Sequence, residues 1–144
     1  MTYFAFLRGI NVTGHKIIKM AELKVMFETM GYKYVRTYIQ SGNVAFESAN
    51  TKNETLAKKI ETGLEKSLGY TVSVIIRTKE EIEKVVGGYP FSKVKNHENF
   101  KTDVAFLSAE PGPGSVKELE SLNTKDEIFK VTGDNVYSLR NKVF

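Results

Sequence analysis

Apolar residues along the chain follow two spacings, which predict alternating strands and helices. The run Tyr3 to Leu7 is short and continuously apolar, as is typical of a central strand buried on both faces. Apolar residues three and four apart predict one helix over 20–30 and a second over 56–68. Runs of β-branched and aromatic residues predict further strands at 35–39, 44–46 and 71–76. The first 77 residues therefore spell β-α-β-β-α-β, the ferredoxin-like order.

The rest of the chain repeats part of this order. The pattern predicts a strand at 103–107, a short helix after Ser115, and a hairpin of strands 128–131 and 136–139. Its first strand, Val104-Ala105-Phe106-Leu107, echoes Phe4-Ala5-Phe6-Leu7. We therefore predict an α+β protein with mostly antiparallel sheets, a duplicated ferredoxin-like fold in which βαββαβ is followed by a partial βαββ unit. The predicted domains are a first lobe at 1–77, a connecting helix and loop at 78–101, and a partial second lobe at 102–144 that is shortened at its C-terminus.

Three predicted helices begin with a Ser or Thr followed three residues later by Glu. The pairs are Thr51 with Glu54, Thr78 with Glu81, and Ser115 with Glu118. In such a capping box each side chain hydrogen-bonds the other residue's backbone N–H, so each pair predicts a helix start.

Composition narrows the class of protein. With 41% hydrophobic and 26% charged residues, the 144-residue chain is typical of an ordinary globular protein. The absence of cysteine excludes a thiol nucleophile, a disulfide framework, a zinc finger and an iron–sulfur cluster. No apolar run resembles a signal peptide or a membrane span, so we expect a cytoplasmic protein. A net charge of +4 favours anionic partners without requiring one.

The predicted topology brings two polar, glycine-bearing segments to the same sheet edge, namely the loop after the first strand and the turn between the second and third. Backbone N–H groups freed by glycine, a guanidinium and side-chain amides suit a phosphate or carboxylate. The alternative is that these residues only satisfy tight turns. The candidate ligand-binding residues are Arg8, Gly9, Asn11, Gly14, His15, Lys16, Gln40, Ser41 and Asn43.

No catalytic motif is complete. The loop after the first strand resembles a P-loop, but His15 separates Gly14 from Lys16, and Ile17 stands where Ser or Thr would hold magnesium. There is no G-x-S-x-G element that would make Ser41 a nucleophile. His15 and His97, the two histidines, lack the companion ligands of a metal site. The sequence therefore predicts no metal and no cofactor, and it leaves open whether the protein is an enzyme.

The segment from Tyr89 to Lys101 supports a different interpretation, a nucleic-acid-binding module. Lysines contact phosphates and aromatic rings stack on bases. The candidate residues are Tyr89, Phe91, Lys93, Lys95 and Lys101. The alternative is that the rings anchor a crossover to the core and the lysines are simply solvated. A third interpretation is a protein-interaction module that pairs through an uncovered edge strand.

Several stretches together resemble the bacterial domain-of-unknown-function family 1697. They are Phe6-Leu7-Arg8-Gly9-Ile10-Asn11-Val12, Met20 with Leu23, Thr37-Tyr38-Ile39-Gln40-Ser41-Gly42-Asn43-Val44, Pro90-Phe91, Val104-Ala105-Phe106-Leu107 and Val136-Tyr137. The resemblance implies a cytoplasmic α+β protein of two related ferredoxin-like lobes, with no assigned activity or cofactor. Thr13 stands where a second glycine is common in that family, and the family's usual Thr-x-Arg-Asn-Trp-like motif and terminal helix do not follow residue 144.

Overall fold

The computed structural model describes residues 1–10, 17–38, 42–95 and 97–142. The chain divides into two units, Met1–Glu83 and Lys84–Phe144. Antiparallel sheets and helices occur in both, so the chain is α+β as predicted. None of the helices in these described ranges has the length and apolar character that a membrane crossing requires.

The first unit has the predicted βαββαβ order. Its elements are β1 (Thr2–Arg8), α1 (Met20–Thr29), β2 (Lys33–Tyr38), β3 (Asn43–Glu47), α2 (Asn53–Leu68) and β4 (Ser73–Thr78). The strands form one antiparallel sheet in the order β2-β3-β1-β4. Because β1 is apolar on both faces, it occupies an inner position, with Phe6 paired to Asn43 on one side and Ile75 on the other.

Side-chain alternation along β1 sends every second residue to the helices. Tyr3, Ala5 and Leu7 are buried, whereas Arg8 at the end of the strand is exposed. The helices contribute apolar stripes spaced three and four residues apart, as their sequence predicts. Their buried members are Leu23 and Phe27 from α1, and Leu56, Ile60 and Leu64 from α2.

The capping box at Thr78 and Glu81 is confirmed. The Thr78 N–H donates to Glu81 Oε1 at 2.8 Å, and the Glu81 N–H donates to Thr78 Oγ1 at 3.1 Å. The same carboxylate accepts from Asn53 Nδ2 at 2.7 Å. Burial on its own raises the pKa of Glu81, but these donors and the charge of Arg77 outweigh it, so the pKa is lowered. The box therefore fixes the start of α3 (Lys79–Gly87) with an ionised side chain.

The other two predicted capping boxes are wrong. The hydroxyl of Tyr3 accepts the Thr51 N–H at 3.0 Å, and Thr51 Oγ1 donates to the Ala49 carbonyl, so Lys52 becomes the cap residue of α2. The helix near Ser115 begins two residues earlier, at Pro113, with Gly112 as its cap residue. Proline at the first helical position has no N–H to satisfy and its φ is already helical, so it sets the start.

The second unit is a three-stranded sheet with one packed helix. Its elements after α3 are a 3₁₀ turn (His97–Asn99), β5 (Phe100–Phe106), α4 (Pro113–Glu120), β6 (Glu127–Thr132) and β7 (Asn135–Asn141). The sheet is antiparallel in the order β5-β7-β6. β5 begins three residues before its predicted start, so Lys101 lies in a strand. The core of this unit is small, and its buried residues are Val85, Phe91, Tyr137 and Leu139.

Candidate functional site

The candidate site begins where β1 ends. Arg8 is the last residue of the strand and its side chain is exposed. Gly9 follows with φ +73°, a left-handed conformation that other residues adopt only at a cost. Ile10 is then only 3% exposed and belongs to the core of the first unit. The chain thus bends at Gly9, which leaves Arg8 in solvent and brings the backbone back to the core at Ile10.

Gly42, the residue that precedes β3, packs directly on this segment. The Leu7 N–H donates to the Gly42 carbonyl at 3.0 Å, one residue beyond the Phe6–Asn43 pair. Gly42 has φ +84°, and a Cβ placed there would lie 2.7 Å from Ile10 Cδ1 and 3.0 Å from Leu7 Cβ. Because such distances are too short for two carbons, only glycine fits between Leu7 and Ile10 at this point.

These contacts bring the described parts of the two predicted segments to one end of the sheet. Arg8 and Gly9 come from the first segment, and Asn43 comes from the second as the first residue of β3. The other six candidates lie outside the described residues, next to these anchors in the chain. They are Asn11, Gly14, His15, Lys16, Gln40 and Ser41.

The charged group in the described part of this site is the guanidinium of Arg8. Arg8 makes no ion pair with any residue in the described ranges. A guanidinium has five N–H donors in a planar fork, which matches the oxygens of a phosphate or carboxylate. No group of three His, Asp or Glu side chains within 1–10, 17–38, 42–95 and 97–142 is placed to hold a metal ion. The described part of this end of the sheet therefore presents a solvent-exposed guanidinium that has no acidic partner among the described residues.

The aromatic residues of the second candidate, 89–101, have partners within the second unit. Phe91 is only 4% exposed and packs edge-on against Tyr137, with ring centroids 6.4 Å apart. The Tyr89 hydroxyl hydrogen-bonds His97 Nε2, and it lies 2.8 Å from Thr102 Oγ1. The buried ring of Phe91 offers no open face for a base, as the core-anchor alternative requires.

The lysines of the same segment are differently placed. Lys93, Lys95 and Lys101 are all exposed, and Lys101 lies on β5. Solvated lysines supply only the sequence-independent phosphate contact of a nucleic-acid site. Of the two features that suggested nucleic-acid binding, the structure thus leaves the charges on the surface and places the Phe91 ring in the core.

Two residues of the first site are missing from the sequence-based set of candidates, Ile10 and Gly42. Ile10 shares its polar, glycine-bearing loop with Val12, so no pattern in the sequence singles it out. Gly42 belongs to the predicted turn, but its close approach to Ile10 depends on packing between segments that are distant in sequence. Both residues shape the site without providing a polar side chain.

Comparisons with known proteins agree with this architecture. The chain is similar to a solved structure described as that of the conserved bacterial protein SP0830 from Streptococcus pneumoniae, with 25% sequence identity and a TM-score of 0.78. That likeness covers 98% of this chain and 77% of the Streptococcus chain. No curated protein matches the chain. The model of the family described as "Protein of unknown function (DUF1697)" matches residues 1–137, and the chain therefore belongs to that family.

Proposed function

We propose that the protein binds a small anionic or phosphorylated ligand at the end of β1, in a site built from residues 8–16 and 40–43. The observation that supports this proposal is the close packing of Gly42 against Leu7 and Ile10 beside the exposed Arg8. It joins two loops whose sequences are rich in N–H donors, with a guanidinium at their junction.

Each residue has a role that follows from its chemistry. Arg8 is the charge clamp, because its fork can donate two parallel hydrogen bonds to one anion. Gly9 and Gly14 let the backbone approach the ligand closely, and Gln40 with Asn43 orient it through their amides. Ser41, Asn11, His15 and Lys16 add further donors from the same two loops. The ligand class is a phosphate or carboxylate because every proposed group is a donor or a cation.

The proposal is tested by replacing Arg8 and measuring binding of defined anions. The probes are inorganic phosphate, pyrophosphate and adenosine monophosphate, with sodium chloride at equal ionic strength as the reference. We expect at least one probe to raise the Tm and to give a Kd by calorimetry. Arg8→Gln should weaken that Kd roughly tenfold or more, since a hydrogen bond to a charged group contributes about 1.5–3 kcal/mol.

Arg36→Gln is the matched control. Arg36 is an exposed arginine of the same sheet, two strands across and four residues along from Arg8, about 16 Å away by strand spacing. It removes the same charge from the same unit and should leave the Kd unchanged. The proposal fails if no probe shifts the Tm beyond sodium chloride, or if Arg8→Gln binds as tightly as Arg36→Gln does.

Nucleic-acid binding by the segment 89–101 is the competing function, and the exposed Lys93, Lys95 and Lys101 favour it. Contacts from three lysines to a single strand predict that log K falls against log salt with a slope of about −2. Because the aromatic rings have partners in their own unit, such binding should show no base preference. A titration with single-stranded DNA and RNA at several salt concentrations separates this function from a compact anion site, since Arg8→Gln should not affect it.

We also infer that the two halves of the chain are repeats, residues 1–77 and 102–144 joined by 78–101. The Leu7 N–H donates to Gly42 O at 3.0 Å, and the Leu107 N–H donates to Asp134 O at 2.8 Å. In both cases the preceding Phe pairs with the Asn that begins the next strand, Asn43 or Asn135. The sheet orders β1-β3-β2 and β5-β7-β6 then correspond strand by strand. These shared positions support duplication more strongly than the sequence echo alone.

A further inference from the structure

The strand pairing places Arg8 and Tyr38 on one face of the first unit's sheet. Phe6 pairs with Asn43, and Asn43 pairs in turn with Tyr38, so these three form a row across β1, β3 and β2. Residues directly opposite each other in neighbouring strands have their side chains on the same face. Arg8 lies two residues beyond Phe6 on β1, so alternation returns it to that face, whereas Leu7 between them is buried on the helix side. Arg8 and Tyr38 therefore both project from the face opposite the helices.

The distance between these two side chains suits a ligand longer than a simple anion. By strand spacing and rise per residue, the Cα atoms of Arg8 and Tyr38 lie about 12 Å apart. Side chains of a strand stand roughly perpendicular to the sheet, so the guanidinium and the phenol ring are separated by a similar distance. A single phosphate is too small to contact both groups. A molecule with a phosphate at one end and a flat ring at the other can contact both.

The ring of Tyr38 is available for such a contact. Its side chain is 71% exposed, and no residue in the described ranges hydrogen-bonds its hydroxyl or packs on its ring. Other tyrosines of the chain are used internally. The Tyr137 hydroxyl donates to the Val85 carbonyl, and the Tyr32 ring packs against Phe46 with centroids 4.8 Å apart. A large aromatic ring left in water gains its contact energy only when another molecule covers it.

The charges on this face favour an anion as the partner of that ring. Among the described residues that project from this face of the four strands, one is acidic, Glu47. It pairs with Lys33, at the opposite end of β2 from Tyr38. An uncharged aromatic ligand would leave the Arg8 guanidinium without a partner, and an anion without a ring would leave Tyr38 uncovered. A nucleotide has the phosphate and the flat base that the two residues require.

Building on the proposed anion site, we propose that its ligand is a 5′-nucleotide whose phosphate binds Arg8 and whose base stacks on Tyr38. The sugar between these two ends lies over Asn43, the neighbour of Tyr38 in the row. Stacking on an aromatic side chain accepts any base, because every base has a π-face. Tyr38 is thus the residue that distinguishes a nucleotide from other phosphorylated compounds.

The second unit contains the same row without the two contact residues. Its members are Phe106, Asn135 and Thr132. The inferred repeat therefore aligns Thr132 with Tyr38 and Ser108 with Arg8. The phenylalanine and the asparagine recur in both units, as expected of residues that shape the backbone. The ring and the cation belong to the first unit, which is where the nucleotide is proposed to bind.

Calorimetric titration of the full chain with adenosine 5′-monophosphate (AMP) and with ribose 5-phosphate tests this proposal. Ribose 5-phosphate carries the same sugar and phosphate without the base. We expect AMP to bind at least about fivefold more tightly, since replacing a stacking ring with alanine weakens binding by about this factor or more. Tyr38→Ala should remove this advantage and leave the Kd of ribose 5-phosphate unchanged. Tyr38→Phe keeps the ring and should keep the advantage.

Tyr34→Ala is the matched control. Tyr34 is 74% exposed on the same strand, but it lies beyond Arg36 and is therefore farther from Arg8. This variant should leave both Kd values unchanged. Equal binding of AMP and ribose 5-phosphate to the natural protein would overturn the proposal. So would a loss of AMP affinity in Tyr34→Ala as large as that in Tyr38→Ala.

Failure of the nucleotide proposal is distinct from failure of the anion site. Arg8→Gln should weaken AMP and ribose 5-phosphate alike, whereas Tyr38→Ala should weaken AMP alone. If ribose 5-phosphate or inorganic phosphate binds through Arg8 and the base adds nothing, the anion site stands and the nucleotide proposal is wrong. If none of these compounds binds, both proposals are wrong.

A 5′-nucleotide occurs free or at the end of a single strand, and both sources offer the same phosphate and base. A tetranucleotide with a 5′-phosphate is therefore compared with its 5′-hydroxyl form. If the phosphate strengthens binding to the natural protein but not to Tyr38→Ala, strand ends are ligands of the site. If the phosphate has no effect while AMP binds, the ligand is the free nucleotide. Both results retain Tyr38 as the stacking residue.

Discussion

The contact between Gly42 and the end of β1 gives the sharpest test of how the proposed anion site is assembled. Replacing Gly42 with Ala adds a single methyl group and removes no hydrogen bond. That methyl carbon would lie 2.7 Å from Ile10 Cδ1 and 3.0 Å from Leu7 Cβ. Leu7 Cβ is fixed by the strand, so relief requires displacement of the buried Ile10 side chain or of the turn itself.

The expected loss has two parts. A non-glycine residue with φ near +84° costs roughly 1–2 kcal/mol in backbone strain. Inserting one carbon into a tightly packed place costs a further 1–3 kcal/mol or so. Gly42→Ala should therefore lower the free energy of unfolding by about 2–5 kcal/mol, a large share of the 5–15 kcal/mol or so that is typical of a small domain.

Gly69→Ala separates the two parts. Gly69 ends α2 with φ +82°, nearly the same conformation, but a Cβ there would have nothing within 4 Å. This control should cost only the strain, roughly 1–2 kcal/mol. Urea denaturation of both variants, with equal m-values, gives the difference directly. If the two losses agree within about 0.5 kcal/mol, the uncertainty of additive comparisons, the close packing of the two loops is refuted.

Three further measurements follow from other parts of the fold. Tyr137→Phe removes the 2.7 Å hydrogen bond from the buried hydroxyl to the Val85 carbonyl and should cost about 1–3 kcal/mol in urea, whereas Tyr38→Phe on an exposed ring should cost almost nothing. Because the pKa of Glu81 is lowered on folding, the stability it contributes is present above the ordinary glutamate pKa of about 4.3 and is lost as the pH falls through the lower folded value. Glu81→Gln should flatten this acid limb in denaturation measured between about pH 6 and pH 3, and an unchanged limb would contradict the cap's electrostatic role. Tyr34→Gly should raise the free energy of unfolding by about 0.5–1 kcal/mol, because glycine relieves the cost of φ +52° and this exposed ring buries little surface; a loss would show that the ring packs.

Periodicity was enough to predict the order of elements in the first unit, because each helix and strand carries its own apolar pattern. The helix starts were harder, since a capping box describes only local bonding. Thr51 fits the box, yet the hydroxyl of Tyr3, 48 residues away, takes its N–H. Thr78 and Glu81 match their prediction because the distant Asn53 adds a hydrogen bond to the same carboxylate oxygen of Glu81 and takes neither N–H of the box. Sequence rules of this kind therefore hold where no distant group takes the N–H donors.

The candidate site likewise has a part that the sequence predicts and a part that depends on contacts between distant residues. Topology predicts that the loop after the first strand and the turn before the third share a sheet edge, and this requires only the strand order. The need for glycine at position 42 depends on the position of Ile10 Cδ1 to a fraction of an ångström. For Phe91, composition cannot separate a ring that stacks on bases from one that packs in a core, because its partner Tyr137 lies 46 residues further along the chain.

The inferred repeat explains why anion binding is assigned to one end of the chain only. Leu7 and Leu107 donate the same backbone hydrogen bond at the same point of their units, so the backbone around this bond is equivalent in the two units. The residues that follow differ, since Arg8 comes after Leu7, whereas Ser108 comes after Leu107 with Glu110 close behind. A cation next to this backbone attracts an anionic ligand, whereas a carboxylate next to it repels one. The shared backbone thus supplies the geometry, and the residues just beyond it decide the chemistry, which is why the proposed ligand site lies in the first unit.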